Sequence, residues 1–193
     1  MTIDPDRPPV PERPLLRGER TWLRPLEDRD LPAYVAGIND SEVGAPAGYA
    51  FPISLEQARE WLQHVNEDHQ RGRGHFFAVC ELGDDRFIGT TWLKDLNFFI
   101  RTAELAIFMD HDHIGSGWGT DAQRVLLRFA FRTLGLERLS LTVFPTNERA
   151  IRSYRRLGFQ EEGVMRRSWR SANGLEDSLL MALLRDEWEA RSG

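Results

Sequence analysis

Cysteine is almost absent. Cys80 stands alone in 193 residues, which excludes an intrachain disulfide framework and a multi-cysteine zinc site. No apolar run is long enough to span a bilayer and no leading stretch reads as a secretory signal, so a cytoplasmic location is the expectation by default. Positive charge is not in excess either. The 25 basic residues face 30 acidic ones, a net charge of −5, which disfavours broad nucleic-acid binding. The one glycine-rich stretch, Gly115-Ser-Gly-Trp-Gly119, is followed by no Gly-Lys-Ser/Thr and lacks the G-x-G-x-x-G spacing. It is therefore neither a P-loop nor a dinucleotide fingerprint. No internal repeat is present. What remains is ordinary globular composition, 41% hydrophobic and 28% charged, in a chain long enough for one domain with a sizeable core.

The chain is organised around residues 102–134. Thr102-Ala-Glu-Leu-Ala-Ile-Phe-Met-Asp110 reads as a short buried strand. Three glycines at alternate positions follow, Gly115, Gly117 and Gly119. Ala122, Val125, Leu126, Phe129, Ala130 and Leu134 then share one helical face, and Gly135 ends the run. A strand, a glycine loop and a helix start offer backbone N–H groups that no helical carbonyl can use, at the positive end of the helix dipole. That makes an anion site, to which glycine lets a phosphate approach closely.

In chain order, Met1–Pro14 holds five of the ten prolines and reads as a flexible lead-in, with a single domain over 15–190. Arg20–Pro25 reads as a strand, and Leu31, Tyr34, Val35 and Ile38 have helical spacing. A Gly/Pro/Ala-rich loop over Gly44–Pro52 leads to a helix opened by a capping box, Ser54 with Gln57. Phe76–Glu81 and Phe87–Leu93 read as strands joined by Gly83-Asp84-Asp85, and Leu96–Arg101 as the lead into the 102–109 strand. After the long helix come a strand at Arg138–Phe144 and a helix that Asn147 can cap, ending at Gly158. Two final strands, Val164–Arg170 and Glu176–Leu184, meet across the hairpin signal Asn173-Gly174. This is a mixed α/β domain. Strands 102–109 and 138–144 are joined through a helix and so should be parallel.

Asn147 and Tyr154 lie seven apart, on one face of their helix. That helix follows the second parallel strand as the glycine loop follows the first, so both sit at adjacent carboxyl ends, where open α/β sheets bind ligands. Gly115-Ser-Gly-Trp-Gly-Thr-Asp-Ala122 together with Asn147-Glu-Arg-Ala150-Ile-Arg-Ser-Tyr154-Arg-Arg-Leu-Gly158-Phe159 resembles the GNAT superfamily of acetyl-CoA-dependent N-acetyltransferases. The likeness runs from about Leu15 to Trp188. The opening Thr21-Trp-Leu-Arg-Pro-Leu-Glu-Asp-Arg-Asp-Leu31 and the tail Gly158-Phe159-Gln-Glu-Glu-Gly163-Val-Met-Arg166 look like its RimJ/RimL branch of ribosomal-protein N-terminal acetyltransferases.

The resemblance implies a GNAT-like fold: a central mixed, mostly antiparallel sheet with a splayed parallel pair and flanking helices. It implies acetyl-CoA as co-substrate, with Ile114, Gly115, Ser116, Gly117, Trp118, Gly119 and Thr120 forming the loop whose N–H groups hold the pyrophosphate. Main-chain groups of Ile107, Phe108 and Met109 would pair with the pantetheine arm, Asn147 would bond it, and Tyr154 would protonate the departing thiolate. Ile114 stands where the family prefers Gln or Arg. The implied partner is an amine acceptor, a protein N-terminus or a small molecule, with no membrane and no nucleic acid; a homodimer is a candidate assembly. Polyamine or aminoglycoside acetylation is the alternative, and a non-catalytic acyl-CoA-binding module is the alternative of another class.

Individual residues keep open readings. Glu104 is a general base acting through water, or a structural carboxylate. Tyr154 is an acid or a core tyrosine, and Asn147 a ligand contact, an N-cap or both. Asp110-His111-Asp112-His113 reads as a solvated loop, so no metal is expected. Trp118 packs beside the loop, Asp121 supports the helix start while slightly opposing a phosphate, and Cys80 is a buried structural thiol. Asp95, Glu104, Glu161 and Glu162 read as acid around the acceptor side.

Overall fold

The computed structural model describes residues 11–12, 14–171 and 174–192. Their element order is β1 (Leu16–Arg17), β2 (Thr21–Pro25), α1 (Leu31–Ile38), α2 (Leu55–Gln70), β3 (His75–Glu81), β4 (Phe87–Asn97), β5 (Thr102–Met109), α3 (Trp118–Arg128), β6 (Arg138–Val143), α4 (Glu148–Leu157), β7 (Gln160–Ser171), β8 (Gly174–Leu184) and α5 (Arg185–Ser192). The strands form one sheet in the order β1-β2-β3-β4-β5-β6-β8-β7. Every neighbouring pair is antiparallel except β5 and β6.

The parallel pair is short. Thr102, Ala103 and Glu104 register with Arg138, Leu139 and Ser140, and no pairing follows. Beyond that point the two strands diverge. β5 alternates strictly: Ala103, Leu105, Ile107 and Met109 face the core shared with α3 and α4, while Phe108 joins a second core beneath α1 and α2. At β5 the sheet thus buries both faces.

Local signals explain most element ends. Ser54 accepts from the Gln57 N–H while Gln57 accepts from the Ser54 N–H, completing the capping box of α2. Gly158, at φ +106°, ends α4 in the left-handed region that glycine tolerates. Tyr154, Ile151 and Leu157 turn inward from α4, and Tyr154 meets Phe159 edge to face at 5.8 Å. Beneath β2, the buried Arg24 donates to Asp30 and Asp85. That ion cluster ties the start of α1 to the β3–β4 turn.

Several expectations are corrected. The lead into β5 is shorter than Leu96–Arg101: β4 continues to Asn97, and the turn Phe98–Arg101 carries the chain into β5. Asn97 Oδ1 accepts from the N–H groups of Phe99 and Ile100, which builds the turn from a side chain. The run after the glycine loop is α-helical only to Arg128 and widens to π-helix over Phe129–Thr133. β7 begins at Gln160, earlier than expected. β1 and α5 carry no signal in the sequence. The expected lead-in falls mainly on residues outside the described ones, as does Asn173 of the last hairpin; β8 begins at Gly174.

Candidate functional site

Divergence of β5 from β6 opens a cavity of 780 Å³. Asp110 N–H donates to Ile88 O on β4. Strand alternation then turns the Phe108 N–H toward β4 as well, and turns the N–H and C=O groups of Ile107 and Met109 toward the gap. With no β6 partner beyond Glu104, these groups form an open ladder edge, ready for an extended guest.

The glycine loop closes one side. Gly117 caps α3 at φ +93°, without a side-chain cap, so the first N–H groups of α3 have no carbonyl partner within the helix. A Cβ on Gly119 would lie 3.3 Å from Met109 Cγ, so this glycine lets the helix start pack closely on β5. Gly115, Gly117, Gly119, Thr120 and Ile114 line the cavity, whereas Ser116 and Trp118 do not. Trp118 turns to His113, edge to face at 5.4 Å.

Arg20 escapes a reading of the sequence. It donates from Nη1 to Ser116 O at 2.7 Å and lies 4.0 Å above the Trp118 ring. A cation therefore stands at this loop although Ile114 brings none. Asp121 holds it there. Its carboxylate accepts from the N–H groups of Glu19, Arg20 and Thr21 and from the Thr21 hydroxyl. Burial alone would raise the Asp121 pKa, but those bonds hold it below the usual carboxylate value. Its charge is thus engaged with four donors, and its opposition to a phosphate is weaker than the sequence suggested.

Across the cavity, α4 brings Asn147 and Tyr154 together as expected. Asn147 Oδ1 accepts from Ala150 N–H, capping the helix, while its Nδ2 donates to Pro46 O at 3.3 Å. Capping and a place in the cavity wall coexist. Tyr154 is 7% exposed. Burial pushes its hydroxyl up to about 12, and the Gln123 side chain works the other way. Gln123 also lines the cavity, and its Oε1 has no hydrogen-bond partner among the described residues. Thr120 Oγ1 and Ser153 Oγ, 2.9 Å apart, tie the α3 start to α4.

The loop between α1 and α2 covers the remaining side. Trp169 Nε1 on β7 donates to Gly48 O at 2.9 Å. Tyr49 and Tyr34 share a hydroxyl bond at 3.0 Å. At the loop base, Asn39 and Ile53 exchange two bonds of 2.8 Å.

Glu104 lines the cavity on the same face as Trp92, and its Oε1 lies 3.0 Å from Lys94 Nζ. The other expected acids do not converge there. Glu161 pairs with Arg155, Glu162 pairs with Arg138, and Asp95 is exposed on β4. Acid surrounding the acceptor side is therefore corrected to one carboxylate. The Asp-His run also differs from a solvated loop: His113 is buried, bonded to Asp110 and within 3.3 Å of Glu81. Among the described residues, no three potential metal ligands converge. Cys80 is buried, which pushes its thiol up to about 12 and makes it inert as an acyl carrier. No helix among the described residues is long and apolar enough to cross a membrane.

This geometry has close counterparts. The family model described as "Acetyltransferase (GNAT) domain" matches residues 20–160. The putative ribosomal N-acetyltransferase YdaF of Bacillus subtilis is 33% identical over 176 residues, covering 89% of this chain and 95% of that protein. Spermidine N(1)-acetyltransferase of Escherichia coli K12 is 30% identical over 145 residues, 74% of each chain. Spermidine N-acetyltransferase from Vibrio cholerae, solved with CoA and spermine, superposes with a TM-score of 0.78 at 24% identity. It covers 88% of this chain and 98% of that one, and at this identity the likeness speaks to the fold.

Proposed function

The chain belongs to the GNAT acetyltransferase family, and on that premise we propose that it moves the acetyl group of acetyl-CoA to a primary amine, by direct attack, in the cleft between β5 and β6. One observation carries this reading. The helix-start N–H donors of the glycine loop, the gap-facing backbone of Ile107 and Met109, and Tyr154 all border one cavity. A phosphorylated, extended thioester needs those three things.

Each group has a distinct role. The N–H groups of the Gly115–Thr120 loop take the pyrophosphate, with Arg20 adding the charge that Ile114 does not. Arg149, Arg152 and Arg156 line the α4 side and add to the positive field that phosphates meet. The pantetheine arm lies along β5 as a further strand, bonded by Ile107 and Met109 and reached by Asn147. The amine lone pair attacks the thioester carbonyl, and a gap-facing N–H of β5, that of Met109 or Ile107, steadies the oxyanion. The C–S bond breaks, Tyr154 gives its proton to sulfur, and the ammonium proton leaves to water held at Glu104. A hydroxyl raised by burial is protonated throughout the neutral range, as an acid must be.

The acceptor lies among protein N-termini and small amines. The RimJ/RimL-like segments at residues 21–31 and 158–166 favour the first, and the relatives named for spermidine keep the second in play. The test is free-thiol release from acetyl-CoA against an amine panel, with melting curves alongside. Thiol release that requires an amine, together with stabilisation by acetyl-CoA and not by ATP or NAD, supports the reading. CoA stabilisation without release under any amine would convert it to a non-catalytic acyl-CoA module.

A further inference from the structure

Lys94 is the only lysine in the chain; the other 24 of the 25 basic residues are arginines. That one lysine stands inside the cavity. The β4–β5 register sets it opposite Glu104, the two charges meet at 3.0 Å, and both side chains line the acceptor face. Glu104 is the only carboxylate lining the cavity among the described residues, against Lys94, Arg149, Arg152 and Arg156. The surrounding walls are aromatic, from Tyr49, Trp92, Phe144 and Trp169.

We infer that Lys94 is a specificity-determining residue that admits a primary amine carried on an uncharged, apolar or aromatic body and rejects polyamines. The inference rests on the transfer reading above and names its acceptor class. A polyamine brings at least one ammonium besides the amine that reacts. That second charge gains from a carboxylate partner, because an unpaired charge against a partly desolvated wall is costly. Glu104 is already matched by Lys94, so the cavity wall has no unmatched carboxylate for the newcomer among the described residues. An aromatic wall attracts a cation more weakly than desolvation opposes it. An amine with one nitrogen enters neutral and leaves its apolar body against Trp92 and Tyr49. Lysine in an otherwise all-arginine chain suits this role, because its ammonium is a compact point charge that sits beside a carboxylate on the neighbouring strand without filling the cavity.

The test compares phenethylamine with spermidine as acceptors in the wild type, Lys94→Met, Lys94→Gln and Lys94→Arg. The wild type should favour phenethylamine in kcat/KM by about tenfold or more, and Lys94→Met should compress that ratio by about tenfold. Lys94→Arg, which keeps the charge, should keep the preference. A melting curve identifies a variant that does not fold, and Lys94→Gln then serves in its place. A wild type that prefers spermidine, or a ratio unmoved in the neutral variants, overturns the inference. Calorimetric titration of the CoA-loaded protein with the same two amines reads the preference without turnover. Absence of thiol release with every amine would therefore remove the transfer reading, while the calorimetric ratio still decides the acceptor rule.

Discussion

Tyr154 and Glu104 illustrate how differently two polar side chains can face one cavity. Tyr154 is buried on α4 with its hydroxyl pushed up to about 12 by burial. Tyr154→Phe deletes a proton donor and keeps the ring against Phe159, so turnover should fall by about 10²-fold, near the lower end for such donors, with acetyl-CoA affinity nearly unchanged. Wild-type kcat should also lack an alkaline loss from this group below about pH 10, since its folded value lies above that of a free tyrosine. Rapid-mixing assays over about pH 6–10 check both points, and a variant that turns over like the wild type leaves thiolate protonation to water. Glu104 is partly exposed and paired with Lys94. If it accepts the amine proton, Glu104→Gln should lose most activity at about pH 7 and recover as pH approaches the amine's own pKa. A loss that ignores pH makes it a structural carboxylate.

The decisive element is the junction of β5, the glycine loop and α3. Arg20→Ala removes a cation bonded to Ser116 O, and because this arginine is exposed the loss of CoA affinity should be modest, about three- to tenfold, and smaller at high salt. Gly117→Asp should do far more. It forces a side chain onto a residue at φ +93° and sets a carboxylate at the proposed phosphate site. Equilibrium binding of CoA at two ionic strengths separates the two, and an unchanged affinity in Gly117→Asp reduces the loop to a turn. Much of this junction is legible in the sequence, because glycine spacing, the Asn147 cap and the Asn147–Tyr154 interval are local signals that period and capping chemistry decode. Arg20 is not, since it reaches its loop across 96 positions, and Trp169 finds Gly48 across 121. Pattern within a window carries no information about such pairs. Other differences are physical in another way. β1 has two residues, too few to show a period, and the π-widening at Phe129–Thr133 keeps its apolar face and so looks like plain helix in the sequence.

For the molecule as a whole, burial raises the proton affinity of Cys80 and of all three tyrosines, Tyr34, Tyr49 and Tyr154. In the unfolded chain the thiol titrates near about pH 8.5 and the phenols near about pH 10. Above those values the unfolded state releases protons that the native state retains, so stability present below them is lost as pH rises toward the folded values. The part of the urea-derived unfolding free energy due to these groups should hold level to about pH 8.5, decline gently with the thiol, and fall steeply beyond about pH 10, by up to about 1.4 kcal/mol per pH unit for each group titrating. A contribution still level at about pH 11 would contradict the burial of these groups. The joint between β5 and β6 has a consequence of a mechanical kind. Five strands lie on one side and three on the other, and only three residue pairs bridge them, like two leaves of a book stitched at one end of the spine. An occupant running along β5 supplies the missing stitches. Amide exchange at Ile107 and Met109 should therefore slow sharply when CoA is bound, while Phe108, turned toward β4, changes little. In the proposed binding mode the cofactor is part of the binding for as long as it stays, and each turnover unpicks the seam and sews it again.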